Sequence, residues 1–164
     1  MDCSYHYHSP LGWITMRSDG KNLTGLWFDG QKYFPDSLPE DHHGTNCLFE
    51  EAKEWLDLYF DGNVPSFMPK LLLKGTPFRE QVWQILLTIP YGQTMTYGEI
   101  AKRVAKVYGV ESMSAQAVGN AVGHNPISII VPCHRVIASN GSLTGYAGGI
   151  ERKKILLSIE QSGC

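Results

Sequence analysis

Pro132-Cys133-His134-Arg135 sets a thiol, an imidazole and a guanidinium side by side, between the apolar runs Ile129-Ile130-Val131 and Val136-Ile137. The thiolate is the nucleophilic form of cysteine, and an ordinary thiol is only roughly a few per cent ionised near neutrality. An attacking Cys133 therefore needs a base or a cation beside it, and His134 and Arg135 are the residue types that serve. The base needs a third group to orient it, and Glu160 is the candidate. The β-branched apolar run predicts a buried strand, ended by the proline, which has no backbone donor. Neighbours on a strand point to opposite faces. A His134 base would then reach Cys133 only through an irregular backbone or a bridging water.

The flanking sequence predicts the elements that must hold this run. Cys3–Tyr7, Gly12–Met16 and Leu23–Phe28 are rich in β-formers and are punctuated by Pro10, Asp19-Gly20 and Asp29-Gly30, as in a short antiparallel meander. Residues 31–46 read as an irregular polar connection. Leu48, Phe49, Ala52, Trp55, Leu56, Tyr59 and Phe60 follow helical spacing, closed by Gly62 and Pro65. Residues 1–69 thus form an α/β unit whose aromatics are expected in the core, with no catalytic signal. Thr76-Pro77 opens the next helix with a hydroxyl cap and a proline at the first position. Thr96-Tyr97-Gly98-Glu99 is a capping box that opens a helix to about Lys106. A second short helix, about Ala115–Val122, gives a helix-turn-helix pattern with a longer connection than usual. Beyond Cys133 come a turn at Ser139-Asn140-Gly141, a glycine-rich loop from Thr144 to Gly149, and a last helix from near Ile150.

The net charge of −2 conceals an asymmetry. Residues 1–69 carry four Lys/Arg against eleven Asp/Glu, and residues 70–164 carry ten against five. A basic second half suits a polyanion such as nucleic acid. No apolar run approaches the ~18 residues of a membrane span, and Met1–His6 shows no leader pattern. A cytoplasmic location, no membrane partner and reduced thiols at Cys3, Cys47, Cys133 and Cys164 are expected. Cys3, His6, His8, His42, His43 and Cys47 match no standard zinc spacing, so no metal and no cofactor are expected.

Asn125-Pro126, Pro132-Cys133-His134-Arg135-Val136, Gly145-Tyr146-Ala147-Gly148-Gly149 and Glu160 occur in a fixed order, preceded by Tyr91-Gly92-Gln93-Thr94 and Thr96–Ala101. This constellation resembles the O6-alkylguanine-DNA alkyltransferases, over roughly Thr76 to Glu160. The resemblance implies a mixed α/β (α+β) fold. A small ribonuclease-H-like sheet-and-helix domain at 1–69 would precede a mostly helical domain at 76–164, with a winged-helix-like helix-turn-helix and the active-site strand. It implies DNA repair by irreversible alkyl transfer from O6-alkylguanine, and from O4-methylthymine, to Cys133, once per molecule. The partner would be duplex DNA read from the minor groove by a monomer.

By the same resemblance, His134 acts through water as the base, with Glu160 behind it. Asn125 ties the chain after the recognition helix to the active-site strand. Tyr97 donates to the guanine ring as its oxygen leaves. The Val136 carbonyl reads the guanine amino group, and Tyr146, Ala147 and Gly148 line the base pocket. Gln116, Ala117, Gly119 and Asn120 face DNA on the recognition helix, with Arg135 as a further DNA contact; independently of the resemblance, Lys102, Arg103 and Lys106 are candidate phosphate contacts. An alkyl carbon on a paired base is out of reach of a buried thiol, so the nucleotide must be extruded. One position departs from the family, which commonly carries arginine where Gln116 stands; weaker or differently tuned base extrusion follows. The competing readings are a non-catalytic marker of alkylated DNA, whose relatives lack the acceptor cysteine, and a Cys-His hydrolase, which would leave the helix-turn-helix idle.

Overall fold

The computed structural model describes residues 3–37, 47–143 and 145–162. Three strands, β1 (Cys3–Ser9), β2 (Gly12–Ser18) and β3 (Leu23–Phe28), form the expected antiparallel meander in the order β1-β2-β3. Tyr5 pairs with Met16 and Ile14 with Phe28. The period of two turns His6 and His8 outward on β1 while Tyr5 and Tyr7 pack inward. Helix α1 (Cys47–Phe60) buries Phe49, Ala52, Trp55, Leu56 and Tyr59, the stripe set by its spacing. The described residues of the 31–46 connection end at Ser37. His42, His43, the Cys47 side chain, Thr144 and Cys164 lie outside the described residues.

The free edge of β3 reaches into the second half of the chain. Leu23 bonds the segment around Lys70 and Leu72, and Leu26 bonds Pro126 and Ser128, giving parallel bridges Leu23–Leu71 and Leu26–Ile127. Ile14, Leu26, Phe28 and Tyr59 therefore share one apolar core with Trp83, Ile100, Val118, Val131 and Leu156. These pairings join residues up to about a hundred positions apart, which local periodicity does not register.

Helix α2 (Pro77–Leu86) starts at the Thr76 cap, whose side chain accepts from the Arg79 amide. Helix α3 (Tyr97–Tyr108) starts at Thr96, which accepts from the Glu99 amide and donates to its carboxylate. It ends at Gly109, whose φ of 68° is the left-handed cap that glycine adopts without a Cβ penalty. Helix α4 (Ala115–Gly123) is capped by Ser114 and packs on α2 and α3. Strand β4 (Met95–Thr96) pairs in parallel with β5 (Val136–Ile137), and α5 (Ile150–Ser162) closes the fold. Among the described residues, no helix is long and apolar enough to cross a membrane.

Candidate active site

Cys133 does not lie on a strand. The run is buried, with Ile127, Ile129, Ile130 and Val131 at most 3% exposed, but its backbone is a series of tight turns. Ile130 N–H bonds Ser128 O across Ile129, whose φ is 70°, and Cys133 N–H bonds Val131 O across Pro132. A left-handed, β-branched Ile129 costs on the order of 1–3 kcal/mol and persists only where the surroundings enforce it. Cys133–Arg135 is a single 3-10 turn that delivers the chain into β5. Apolar content reported burial correctly, but short apolar runs do not distinguish a strand from a buried turn. The turn also removes the opposite-faces constraint between Cys133 and His134.

Asn125 enforces this backbone. Its Nδ2 donates to Ile127 O at 3.1 Å and Val131 O at 2.8 Å, and its Oδ1 accepts from Ile127 N–H at 3.0 Å. Burial pushes the Cys133 pKa up, opposed by Asn125 and by the positive charge of Lys153.

His134 is fully buried, and its Nε2 lies 2.5 Å from Glu160 Oε2. Burial lowers the imidazole pKa, so the neutral ring donates Nε2–H to an ionised Glu160. Its Nδ1 is buried without a hydrogen-bond partner, which leaves a basic lone pair for a bridging proton carrier. Burial works against the Glu160 charge, but hydrogen bonds from His134 and Arg135 outweigh it and hold the pKa at about 2.

Arg135, expected at DNA, is turned inward instead. It is 7% exposed, and its Nε and Nη2 donate to Glu160 while Nη1 donates to Ile89 O at 2.7 Å. A guanidinium with these acceptors is the counter-charge of the buried carboxylate, and a phosphate contact would strip Glu160 of it. Sequence spacing carries no information on this inward rotation.

Two residues escaped the sequence reading. Tyr59 of α1, expected only as core, donates its hydroxyl to Glu160 Oε2 at 2.7 Å. The first half of the chain therefore contributes to the relay. A Tyr59→Phe variant loses one hydrogen bond to a charged group, worth about 1.5–3 kcal/mol. We expect a melting temperature lower by roughly 5 °C in a thermal melt, with slower chemistry at Cys133. Lys153 is fully buried on α5 and donates Nζ to Val136 O at 2.5 Å and Gly145 O at 3.1 Å. Burial lowers its pKa to about 8. A buried lysine resembles any exposed helix lysine in sequence.

Cys133 opens onto a cavity of about 410 Å³, walled by Tyr97, Gln116, Gly119, Asn120, Gly145, Tyr146 and Ala147, with Lys32 and Tyr33 at one side. Burial, then the neighbouring Cys133, raises the Tyr97 pKa, so its hydroxyl stays protonated. Gly148 stands behind this wall, where a Cβ would come within 2.7 Å of the Tyr146 ring. The Val136 carbonyl accepts from Lys153 Nζ. Ala117 lies on the adjoining groove between α2 and α4, shared with Gln116 and Asn120. Lys102 and Arg103 are exposed on α3 away from the cavity, and Arg103 donates to Thr88 Oγ1.

The family model described as 6-O-methylguanine DNA methyltransferase, DNA binding domain, matches residues 77–162, and the same family's ribonuclease-like domain matches residues 4–72. The chain belongs to the 6-O-methylguanine DNA methyltransferase family. The methylated-DNA–protein-cysteine methyltransferase of Mycobacterium tuberculosis is 46% identical over 162 residues, covering 96% of this chain and 93% of that protein. The Methanosarcina acetivorans protein of the same name is 45% identical over 159 residues, covering 95% and 96%. The crystal structure of Mycobacterium tuberculosis OGT in complex with DNA superposes with a TM-score of 0.85 at 43% identity, covering 98% of this chain and 94% of that one. In this family member, a buried cysteine opens onto a cavity whose wall includes α4.

Proposed function

We propose that this protein repairs DNA by moving the alkyl group of O6-alkylguanine onto its own Cys133, with O4-methylthymine as a second substrate. The observation that carries the reading is the Cys133 thiol on the cavity wall, backed by the His134–Glu160 pair and flanked by α4. Helix α4 enters the minor groove of duplex DNA, its small residues Ala117 and Gly119 allowing close approach while Gln116 and Asn120 face the strand. The damaged nucleotide rotates out of the stack into the cavity.

The Cys133 thiol passes its proton to His134 Nδ1 through a water, and Glu160 stabilises the imidazolium. The thiolate attacks the alkyl carbon, forming a C–S bond as the carbon–oxygen bond breaks. The electron pair stays on guanine O6, and Tyr97 gives a proton to the ring, which leaves as guanine. Tyr146, Ala147 and Gly148 shape the base pocket, and Val136 O accepts from the exocyclic amine. Lys102 and Arg103 are outer phosphate contacts. A thioether has no easy path back to a thiol, so each molecule acts once.

The chain works as a monomer, with a 1–69 domain that supports the 76–164 domain. Its need for a reduced thiol suits the cytoplasm. Incubation with a duplex containing one O6-methylguanine, followed by peptide mass spectrometry, tests the reading. One methyl group per chain on the Cys133 peptide is expected; binding without transfer would make the protein a damage marker instead. Gln116 supplies a neutral hydrogen-bonding group where a cation is common. Gln116→Arg should therefore tighten duplex binding and speed transfer; unchanged affinity and rate would remove Gln116 from the extrusion step.

A further inference from the structure

The wall of the Cys133 cavity includes two residues from the acidic first half of the chain, Lys32 and Tyr33. The turn that presents them is fixed from several directions. Gln31, 8% exposed, accepts from Phe28 N–H at 2.9 Å through its side chain, and its Nε2 donates to Lys32 O at 3.2 Å. Lys32 N–H donates to Ala147 O at 3.0 Å, fastening this turn to the glycine-rich loop of the pocket.

Tyr33 has a φ of 64°. It and Ile129 are the two non-glycine residues with positive φ among the described residues; Tyr33 lines the cavity, and Ile129 lies four residues before Cys133. Strained backbone of this kind concentrates at ligand clamps. The Tyr33 ring stacks on His124, the C-cap of α4, with centroids 3.9 Å apart and planes 26° apart. The Lys32 ammonium sits 5.1 Å over the other partner in this arrangement, the Tyr33 ring. Lys32 is exposed and shares the cavity mouth with Gln116, Gly119 and Asn120 of α4.

We propose that Lys32, carried by this turn and steadied by Tyr33, is a DNA-phosphate contact at the mouth of the Cys133 cavity. The inference rests on the reading of that cavity as the receiver of a nucleotide extruded from duplex DNA. An extruded nucleotide brings its flanking phosphates to the rim, and a cation held on an aromatic ring against α4 meets them there. The first half of the chain then contributes directly to DNA binding, despite its net negative charge.

The test measures duplex binding between about 50 and 200 mM salt, where each phosphate contact contributes about 0.9 to the slope of log affinity against log salt. The probe is a duplex with one O6-methylguanine, and the protein carries Cys133→Ser so that binding alone is read. Lys32→Gln should lower the slope by about 0.9 and weaken binding about threefold or more, and Lys32→Arg should restore both. With Cys133 intact, Lys32→Gln should slow transfer from the duplex more than transfer from O6-methylguanosine, which has no phosphate. An unchanged slope, or equal losses on duplex and nucleoside, would overturn the proposal. A parent protein that binds the duplex without methylating Cys133 would instead refute the alkyl-transfer reading, while the slope still reports on Lys32.

Discussion

A Cys133→Ser protein is expected to bind a duplex containing O6-methylguanine but to transfer no methyl group to itself. Serine fills nearly the same volume, so the tight turns through Ile129, Pro132 and Cys133 and the Asn125 bonds to Ile127 and Val131 keep their geometry. What disappears is the nucleophile. Burial opposes ionisation of the thiol and outweighs the opposing influence of Asn125 and the charge of Lys153. A hydroxyl is far harder to deprotonate than a thiol, and the same base does not activate it here. Mass spectrometry of the digested protein should show no methylated peptide, and gel shift should show binding close to that of the parent. Methyl transfer retained at another cysteine would displace Cys133 from the mechanism. Cys3, the other buried cysteine among the described residues, lies on β1.

A Glu160→Gln protein is expected to be both less stable and nearly inactive. The Glu160 carboxylate accepts from His134, Arg135, Tyr59 and the Gly92 amide. The amide of glutamine brings its own donors into a site already full of donors, and it leaves the inward-facing Arg135 without a counter-charge. Breaking a buried pair from one side costs about 3–5 kcal/mol, which for a chain of this size lowers the melting temperature by roughly 10 °C or more. Methyl transfer falls with it, because His134 loses the acceptor that orients its ring and stabilises its protonated form.

The acid dependence has a definite sign. Glu160 titrates at about 2 in the folded protein, below its ordinary value of 4.5. Its contribution is therefore complete above the ordinary value and is lost as the pH falls from there towards 2. The gap in melting temperature between parent and Glu160→Gln should be full at neutral pH and should shrink across that acid range. A gap that stays constant into acid would show that the Glu160 charge does not support the fold.

Much of this protein is legible along the chain because its determinants are local. The caps at Thr76 and Thr96, the proline at 77 and the apolar stripe of Val82, Ile85 and Leu86 each act within a few residues, and the helices begin where those residues stand. Pro132-Cys133-His134-Arg135, with Asn125, the glycine-rich loop and Glu160 in order, was sufficient to nominate the nucleophile and its relay. Tertiary structure decided which way the side chains around them face. Arg135 and Lys153 carry the same charges as any surface cation, and only the packing of α5 against the Cys133 turn commits one to Glu160 and the other to Val136 and Gly145. Tyr59, Lys32 and Tyr33 enter the site because the edge of β3 pairs with the segment leading to Cys133. Hydrogen bonds between distant segments leave no periodic trace in a sequence, whereas caps, turns and amphipathic stripes do.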